Sequence, residues 1–546
     1  MAAHVEPTRP ETDTGRLNNA SPLRIWSIVI VTVLFAEIAP LQYTMISAAV
    51  PKIAPTFPSA GANISWMITI FALVAAVATP LCGKMSDLWG KKRLLVACGI
   101  VFIAGSALCA ITGSWGLFLL GRGLEACATA AATVTYGLFR DILPRRHIPM
   151  AVGVVATGFG LSAVAAPLLG GWMIDHFSWR SLFWALAVYT VITLVALWAV
   201  VPESKLRAKQ RLDLAGAATM SGGVTCILLY ITEGGNWGWT DKTSLAYLIG
   251  GLILLAAFVL IERRVAQPIM DIKLLMAPKV AMTLAVSCCA SFVIAISAYA
   301  VPYMAETPTQ AQLVGSVKAA AVQKGLPASA LPLLHISFPS GTLAFAGGLT
   351  LLAFAWQVAI WQGVCAIAAG PLAGAWSRRS GARKPLITGL AFLLATSGLL
   401  LVLPLRGLWG LAVAMGVMGI GFGFFYASGP NLIMEATPPR QQGITTGMWS
   451  LVGAISTAVA TAILTAFFVA NPVKLEASFP GRPATVTTLN QVNAWAGYRD
   501  AFFVTIGVAA VGLILAVLMR HGRTPSTGGA ASETESETVT AGAASA

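Results

Sequence analysis

Three ionisable side chains stand inside long apolar runs, where such groups are rare: Glu37 within residues 25–50, and Arg122 with Glu125 within residues 116–138. An arginine at the centre of a membrane helix costs about 2.5 to 3.5 kcal/mol on insertion scales, so it should face a cavity and find a partner. Glu125 is the first candidate, one helical turn away in the i,i+3 relation. A carboxylic acid held away from water beside a cation can gain and lose a proton as its surroundings change. The same pair also fits a structural role, with Arg122 snorkelling toward the surface and Glu125 pairing with it. Two amides, Gln42 on the first run and Asn431 after Gly429-Pro430, are candidate polar contacts for a solute. The five histidines (His4, His147, His176, His335, His521) are scattered without metal-ligand spacing, which argues against an enzyme, a metal site or a cofactor. The phosphate loop G-x-x-x-x-G-K-[ST] is absent, so ATP hydrolysis is not the expected energy source. An ion gradient would then drive any uphill movement.

The elements that must position these residues follow from composition. Of 546 residues, 57% are hydrophobic and 10% charged, with mean hydropathy +0.78, values outside the range of a soluble domain. In hydrocarbon every backbone polar group must bond internally, so such a chain spans as helices or as a closed barrel. The apolar runs are continuous, without period-two alternation, and choose helices. About fourteen spans are predicted, near 25–48, 63–82, 94–112, 116–138, 149–173, 182–201, 214–232, 245–262, 280–303, 346–373, 385–404, 408–430, 443–469 and 499–519. The net charge of +14 sits in short loops between spans rather than on one face, which reads as topology and not as a nucleic-acid surface. One side of the membrane collects roughly 25 Lys and Arg and the other roughly 9, placing the first side and both termini in the cytoplasm. All eight cysteines lie in or beside apolar runs, so no disulfide framework is expected. Residues 1–24 lack the order of a cleaved signal peptide, and with 520–546 are expected to be disordered cytoplasmic tails.

A repeat divides the chain further. The loop Gly83-Lys-Met-Ser-Asp87-Leu-Trp-Gly90-Lys91-Lys92-Arg93 lies beside Gly374-Ala-Trp-Ser-Arg378-Arg-Ser-Gly381-Ala-Arg383-Lys384 with the glycines and the terminal basic pair in register. Each follows the second span of its half if the seventh and eighth spans are an insertion. The expected division is therefore a six-helix bundle over 25–202, two linker helices over 203–279 and a second six-helix bundle over 280–519. Two loops on the outer side, 304–341 and 471–498, are long and rich in Thr, Pro, Ala and Gln; they are candidate lids or solvated linkers.

The first repeat loop fits every defining position of G-x-x-x-D-x-x-G-[RK]-[RK], the loop signature of the major facilitator superfamily, which the chain resembles. Gly83 and Gly90 allow close approach and a tight turn, Asp87 can accept hydrogen bonds, and Lys91, Lys92 and Arg93 can pair with carboxylates. The resemblance implies a latch that breaks as the bundles rock apart. Leu120-Gly-Arg122-Gly-Leu-Glu125-Ala-Cys is similar to the superfamily's R-x-x-Q-G, with Glu125 in place of Gln and Ala126 in place of Gly; by resemblance Arg122 tunes a neighbouring carboxylate for proton transfer. Gly153, Ser162, Ala166, Pro167, Gly170 and Gly171 resemble the antiporter signature G-x8-G-x3-G-P-x2-G-G, with Ser162 and Ala166 at two glycine positions. Small residues there permit close packing, and Pro167 bends the span.

Pro40-Leu-Gln42-Tyr-Thr44-Met-Ile-Ser-Ala-Ala-Val-Pro51 resembles L-D-x-T-I-V-N-V-A-L-P of the fourteen-span drug:proton antiporters, with Gln42 in the aspartate's place. Glu37, five residues earlier, is displaced by more than one turn and does not substitute for it directly. The implied activity is export of amphipathic small molecules, drugs among them, by proton antiport with alternating access, from a bacterial cell membrane and as a monomer. Partners would be the solute, protons and the bilayer, with no nucleic acid. Proton-coupling candidates are Glu125, Arg122 and Glu37. The alternative on the same fold is a dedicated exporter or importer of a lipid, siderophore or metabolite; a membrane enzyme or sensor ranks last.

Overall fold

The computed structural model describes residues 16–58, 66–205, 213–265, 272–323, 327–338, 347–437, 442–478 and 485–526. The outermost parts of both expected tails, parts of the expected linker region 203–279, and segments of the loops expected at 304–341 and 471–498 lie outside these residues. Among the described residues, fourteen helices are long and apolar enough to cross a bilayer. They are α1 (Pro22–Ile46), α2 (Trp66–Trp89), α3 (Lys91–Ile111), α4 (Trp115–Ile142), α5 (Arg145–Ile174), α6 (Arg180–Val200), α7 (Leu214–Gly235), α8 (Lys242–Glu262), α9 (Pro278–Glu306), α10 (Leu352–Ser380), α11 (Arg383–Val402), α12 (Leu408–Ala436), α13 (Thr445–Ala470) and α14 (Trp495–Leu518). Each overlaps its predicted span, because the hydrocarbon thickness fixes how many apolar residues a helix must supply.

The ends of the spans have local causes. Ser21 accepts the Arg24 amide at 3.3 Å and Pro22 opens α1; Asp213 and Asp241 cap α7 and α8 in the same manner. Both repeat loops break their helices at a glycine in the left-handed region, Gly90 at φ 108° and Gly381 at φ 85°. An L-residue would be strained at either place, so the equivalence seen in sequence is one of backbone geometry.

Helices α1–α6 and α9–α14 form two six-helix bundles. They meet closely where α5 faces α10: a Cβ on Gly153 would fall 2.6 Å from the Gly370 carbonyl oxygen. Only glycine lets the two backbones approach this far. The inserted pair packs at the opposite seam, where Met220, Val224 and Leu228 of α7 join Leu73 and Ala76 of α2 and Leu451 of α13 in one apolar cluster.

The Lys/Arg-rich loops share one side, called the basic face below. On the far face the two long loops combine into one structure. β1 (His335–Ser337) pairs antiparallel with β2 (Pro472–Ser478), which pairs antiparallel with β3 (Thr485–Asn493). A separate helix, Gln310–Gln323, lies near by, and its Leu313 shares a small core with Val473, Val492 and Ala494. The two loops are thus tied to each other through a sheet, a packed alternative to solvated linkers.

Candidate functional site

Four helices converge on the Glu125–Arg122 pair. The carboxylate lies just before a tightened turn, Cys127–Thr129, that interrupts α4. Its Oε2 accepts Arg122 Nη1 at 2.5 Å and Gln42 Nε2 of α1 at 3.1 Å, while its Oε1 accepts Ser106 Oγ of α3 at 2.5 Å. Arg122 Nε donates to the Met67 carbonyl of α2 at 3.0 Å, and the guanidinium lies 4.9 Å from the centre of the Phe71 ring. Glu125, Arg122 and Gln42 are fully buried. A buried charge is tolerated only when paired and hydrogen-bonded, and here the anion takes donors from α1 and α3 while the cation donates to a carbonyl of α2. A proton arriving at Glu125 would compete with Arg122, Gln42 and Ser106 for two oxygens. Protonation would therefore change which helices the carboxyl holds together.

Glu37 forms a second buried centre. It stands where helix Pro22–Ala36 gives way to helix Ile38–Ile53, and its Oε2 accepts Ser162 Oγ of α5 at 2.5 Å. Its Oε1 is buried with no hydrogen-bond partner. Ser162 is one of the two antiporter-signature positions that depart from glycine, and its hydroxyl is what meets the acid. Of the other residues of that signature, Gly153 makes the α10 approach, Ala166 and Gly170 are buried, and Pro167 lies inside the helix. A Cβ on Gly171 would lie in ordinary contact with Leu352 of α10.

At the basic face Lys91 is buried between two carboxylates, 3.1 Å from Asp87 Oδ1 and 2.8 Å from Asp141 Oδ2. Asp141 also accepts Ser204 Oγ at 2.5 Å. Glu203 caps the start of α3, accepting the amides of Lys92 at 3.1 Å and Arg93 at 3.2 Å, and a Cβ at Gly90 would collide with that carboxylate. Arg140, next to Asp141, reaches the other bundle by donating to the Thr437 carbonyl at 3.2 Å. The loop signature thus joins α2, α3, α4 and the segment after α6, and the neighbouring arginine carries the contact across the interface.

Between the bundles lies a cavity of about 220 Å³, lined among others by Tyr136 of α4, Phe159 of α5, Ser287 and Ser291 of α9, Tyr426 of α12 and Trp449 of α13. Neither Gln42 nor Asn431 is among its described lining residues. Gln42 turns to Glu125, and Asn431 is buried with its Nδ2 donating to the Ala427 carbonyl of its own helix at 2.7 Å. Further contacts join the bundles: the Tyr43 and Tyr299 hydroxyls touch, Thr133 Oγ1 lies 3.0 Å from Ser450 Oγ, and Thr157 Oγ1 donates to the Ile367 carbonyl at 3.2 Å.

Sequence reasoning did not single out Ser106, Phe71, Asp141, Arg140 or the cavity residues. Asp141 and Arg140 had a usable signal, being charged residues at the end of an apolar run, next to a basic loop. Ser106 and Phe71 had none, since serine and phenylalanine are ordinary in membrane helices.

The model of the Major Facilitator Superfamily matches residues 33–321 and 283–544. The uncharacterized MFS-type transporter Rv1877 of Mycobacterium tuberculosis is 30% identical over 294 residues, 53% of this chain and 42% of that protein. This chain thus spans less than half of that relative's length. The multidrug resistance protein Stp of the same species is 26% identical over 426 residues, 78% of this chain and 72% of Stp. Among solved structures, the MFS proton:xylose symporter XylE superposes with a TM-score of 0.57 at 11% identity, covering 93% of this chain and 98% of that one. At that identity the likeness is one of fold.

Proposed function

Because the chain belongs to the major facilitator superfamily, and is a membrane transporter rather than an enzyme, we propose that it is a secondary carrier exporting amphipathic small molecules by proton antiport, with Glu125 as the proton-accepting group. The observation that carries this is the contact of Gln42 with Glu125. Relative to the two signatures that these residues depart from, the acid has moved from α1 to α4 and the amide from α4 to α1. The contact keeps one carboxylate and one amide. Arg122 positions and tunes the acid, Glu37 with Ser162 is a second proton-accepting candidate, and Asn431 is reserved for substrate contact in another conformation.

In this reading residues 25–202 and 280–519 rock about the cavity, with 203–279 inserted between them. The Lys91 cluster with Arg140 latches one face, and the tyrosine pair holds the bundles together nearer the other. The basic face is cytoplasmic, with both termini there, the membrane is a bacterial cell membrane, and the working unit is a monomer.

The test is substrate-induced proton movement in proteoliposomes holding a pH dye, with a panel of amphipathic compounds of differing charge, on wild type and Glu125→Gln. Flux with several unrelated compounds, lost in the variant, is the expected result. No flux with any of them would sink the multidrug reading. A dedicated carrier of one metabolite would then take its place.

A further inference from the structure

Resting on the transport reading, we propose that the cavity between the bundles binds an uncharged, ring-sized ligand through its hydrogen-bond acceptors, and that Tyr136, Ser287 and Trp449 are the donors that read them. All three line the cavity, all three are more than nine-tenths buried, and Tyr136 Oη, Ser287 Oγ and Trp449 Nε1 have no hydrogen-bond partner. Buried polar atoms are almost always paired, so three orphans around one space point to a group that comes and goes. The indole N–H can only donate, and the two hydroxyls can turn to do so. The indole N–H requires an acceptor such as a carbonyl, ester or ether oxygen, and the two hydroxyls can donate to the same ligand's acceptors.

Charge on the ligand is disfavoured by the same walls. No charged side chain stands among the described lining residues. Glu125 is engaged by Arg122, Gln42 and Ser106, one oxygen of Glu37 is engaged by Ser162, and Arg140 is turned to the Thr437 carbonyl. An aromatic cage could still hold a cation on open ring faces. Here the rings close on one another: Tyr136 meets Trp449 at 87°, Tyr426 meets Trp449 at 89°, and Phe159 meets Tyr426 at 66° with centroids 5.0 Å apart. In each edge-to-face pair the edge of one ring takes up a face of the other, which reduces the open faces left for a cation. Size sets the remaining limit: about 220 Å³ is below the roughly 300 Å³ at which sites for drug-sized ligands begin. Two fused rings would fit.

The probes are three bicyclic compounds of similar size: coumarin, which is neutral and carries a lactone; naphthalene, which has no acceptor; and N-methylquinolinium, a cation. Binding is measured by equilibrium dialysis on the full chain in lipid nanodiscs, with empty nanodiscs subtracted. Coumarin should bind about tenfold or more tighter than the other two. Tyr136→Phe, Ser287→Ala and Trp449→Phe should each weaken coumarin by about two- to tenfold, the range of one neutral hydrogen bond, and leave naphthalene unchanged. N-methylquinolinium binding as tightly as coumarin would overturn the proposal in favour of a cation cage. A coumarin preference that survives all three substitutions would overturn it too, since the orphan donors would then be serving water. No proton gradient is applied, so intact preference without transport-linked flux condemns only the antiport reading, and intact flux without preference condemns only this one.

Discussion

The two bundles bury different things. In α1–α6 the buried side chains include Glu37, Lys84, Asp87, Lys91, Arg122, Glu125, Arg140 and Asp141. Among the described residues of α9–α14 no charged side chain is fully buried; the polar ones there are Ser, Thr and Asn. The difference shows how labour is divided in a molecule built from a repeated unit. A buried charge must be surrounded by partners fixed in advance, so the bundle that holds the acids is committed to a network. The bundle without them needs no such commitment and contributes hydroxyls and rings to the cavity. If movement of one bundle against the other couples the two, protons are handled on one side and substrate is shaped on the seam.

The strongest way to break this division is at Glu125. Replacing it with Gln should abolish proton coupling and, by leaving Arg122 buried without an anion, lower stability by about 3 to 5 kcal/mol, while membrane insertion survives. The sharper experiment is the exchange Gln42→Glu with Glu125→Gln, which returns the acid to α1 across a 3.1 Å contact. It should recover most of the stability, read by thermal unfolding in detergent, and part of the coupled flux, read in proteoliposomes. Coupling unchanged in the single variant would reduce Glu125 to a structural partner of Arg122.

The latch comes next in size. Asp87→Asn removes one of two anions from Lys91 but leaves Asp141 at 2.8 Å, so the cluster should loosen without collapsing. Turnover should fall by about tenfold with KM within about twofold, the pattern of a lost conformational control rather than a lost substrate contact. A pure loss of affinity would contradict the latch. Smaller again is Ser162→Ala, which strips Glu37 of its hydroxyl donor; an acid left without that bond should cost about 1 to 3 kcal/mol, and Ser162→Thr should restore it. If Ser162→Ala is neutral in thermal unfolding, the Glu37 contact is incidental.

How far the sequence reached follows the same physics. Fourteen spans were legible because a bilayer demands a run of apolar residues and punishes any other backbone. The repeat was legible through Gly90 and Gly381, since a left-handed turn excludes most side chains. The link between Gln42 and Glu125 was not, because two residues 83 positions apart are joined only by how helices rotate against each other. Tyr136, Ser287 and Trp449 were illegible for another reason: each is an ordinary membrane residue, and only the space they enclose distinguishes them. The far-face sheet has a readable trace in the sequence. Val473, Leu475 and Ala477 alternate with polar residues, and the stretch from Thr485 is rich in β-branched side chains.

The repeat loops allow the finest comparison, and the smallest effect. Where the first has Asp87 and Lys91, the second has Arg378 and Ala382, so a buried ion cluster cannot form there. The chain after α14 supplies backbone instead: Arg383 N donates to the Gly522 carbonyl at 3.0 Å and Ser526 N to the Ser377 carbonyl at 3.1 Å. His521 anchors this segment through Thr283 at 3.1 Å. Burial, with Lys279 near by, pushes its pKa from 6.5 down to about 4. A histidine held neutral when docked and free to charge when released contributes docking stability that is whole above pH 6.5 and is lost as pH falls toward 4. Hydrogen exchange should therefore show protection at Ser526 falling by roughly 100-fold or more across that window, since each pH unit between 6.5 and about 4 contributes a factor of up to ten. His521→Gln should flatten the dependence while changing transport at pH 7 by less than about twofold, because a surface-docked segment contributes little to a carrier's cycle. A comparable loss of protection in His521→Gln would assign the acid sensitivity elsewhere, and a large transport defect at pH 7 would mean that the second loop, despite its missing charges, latches as the first does.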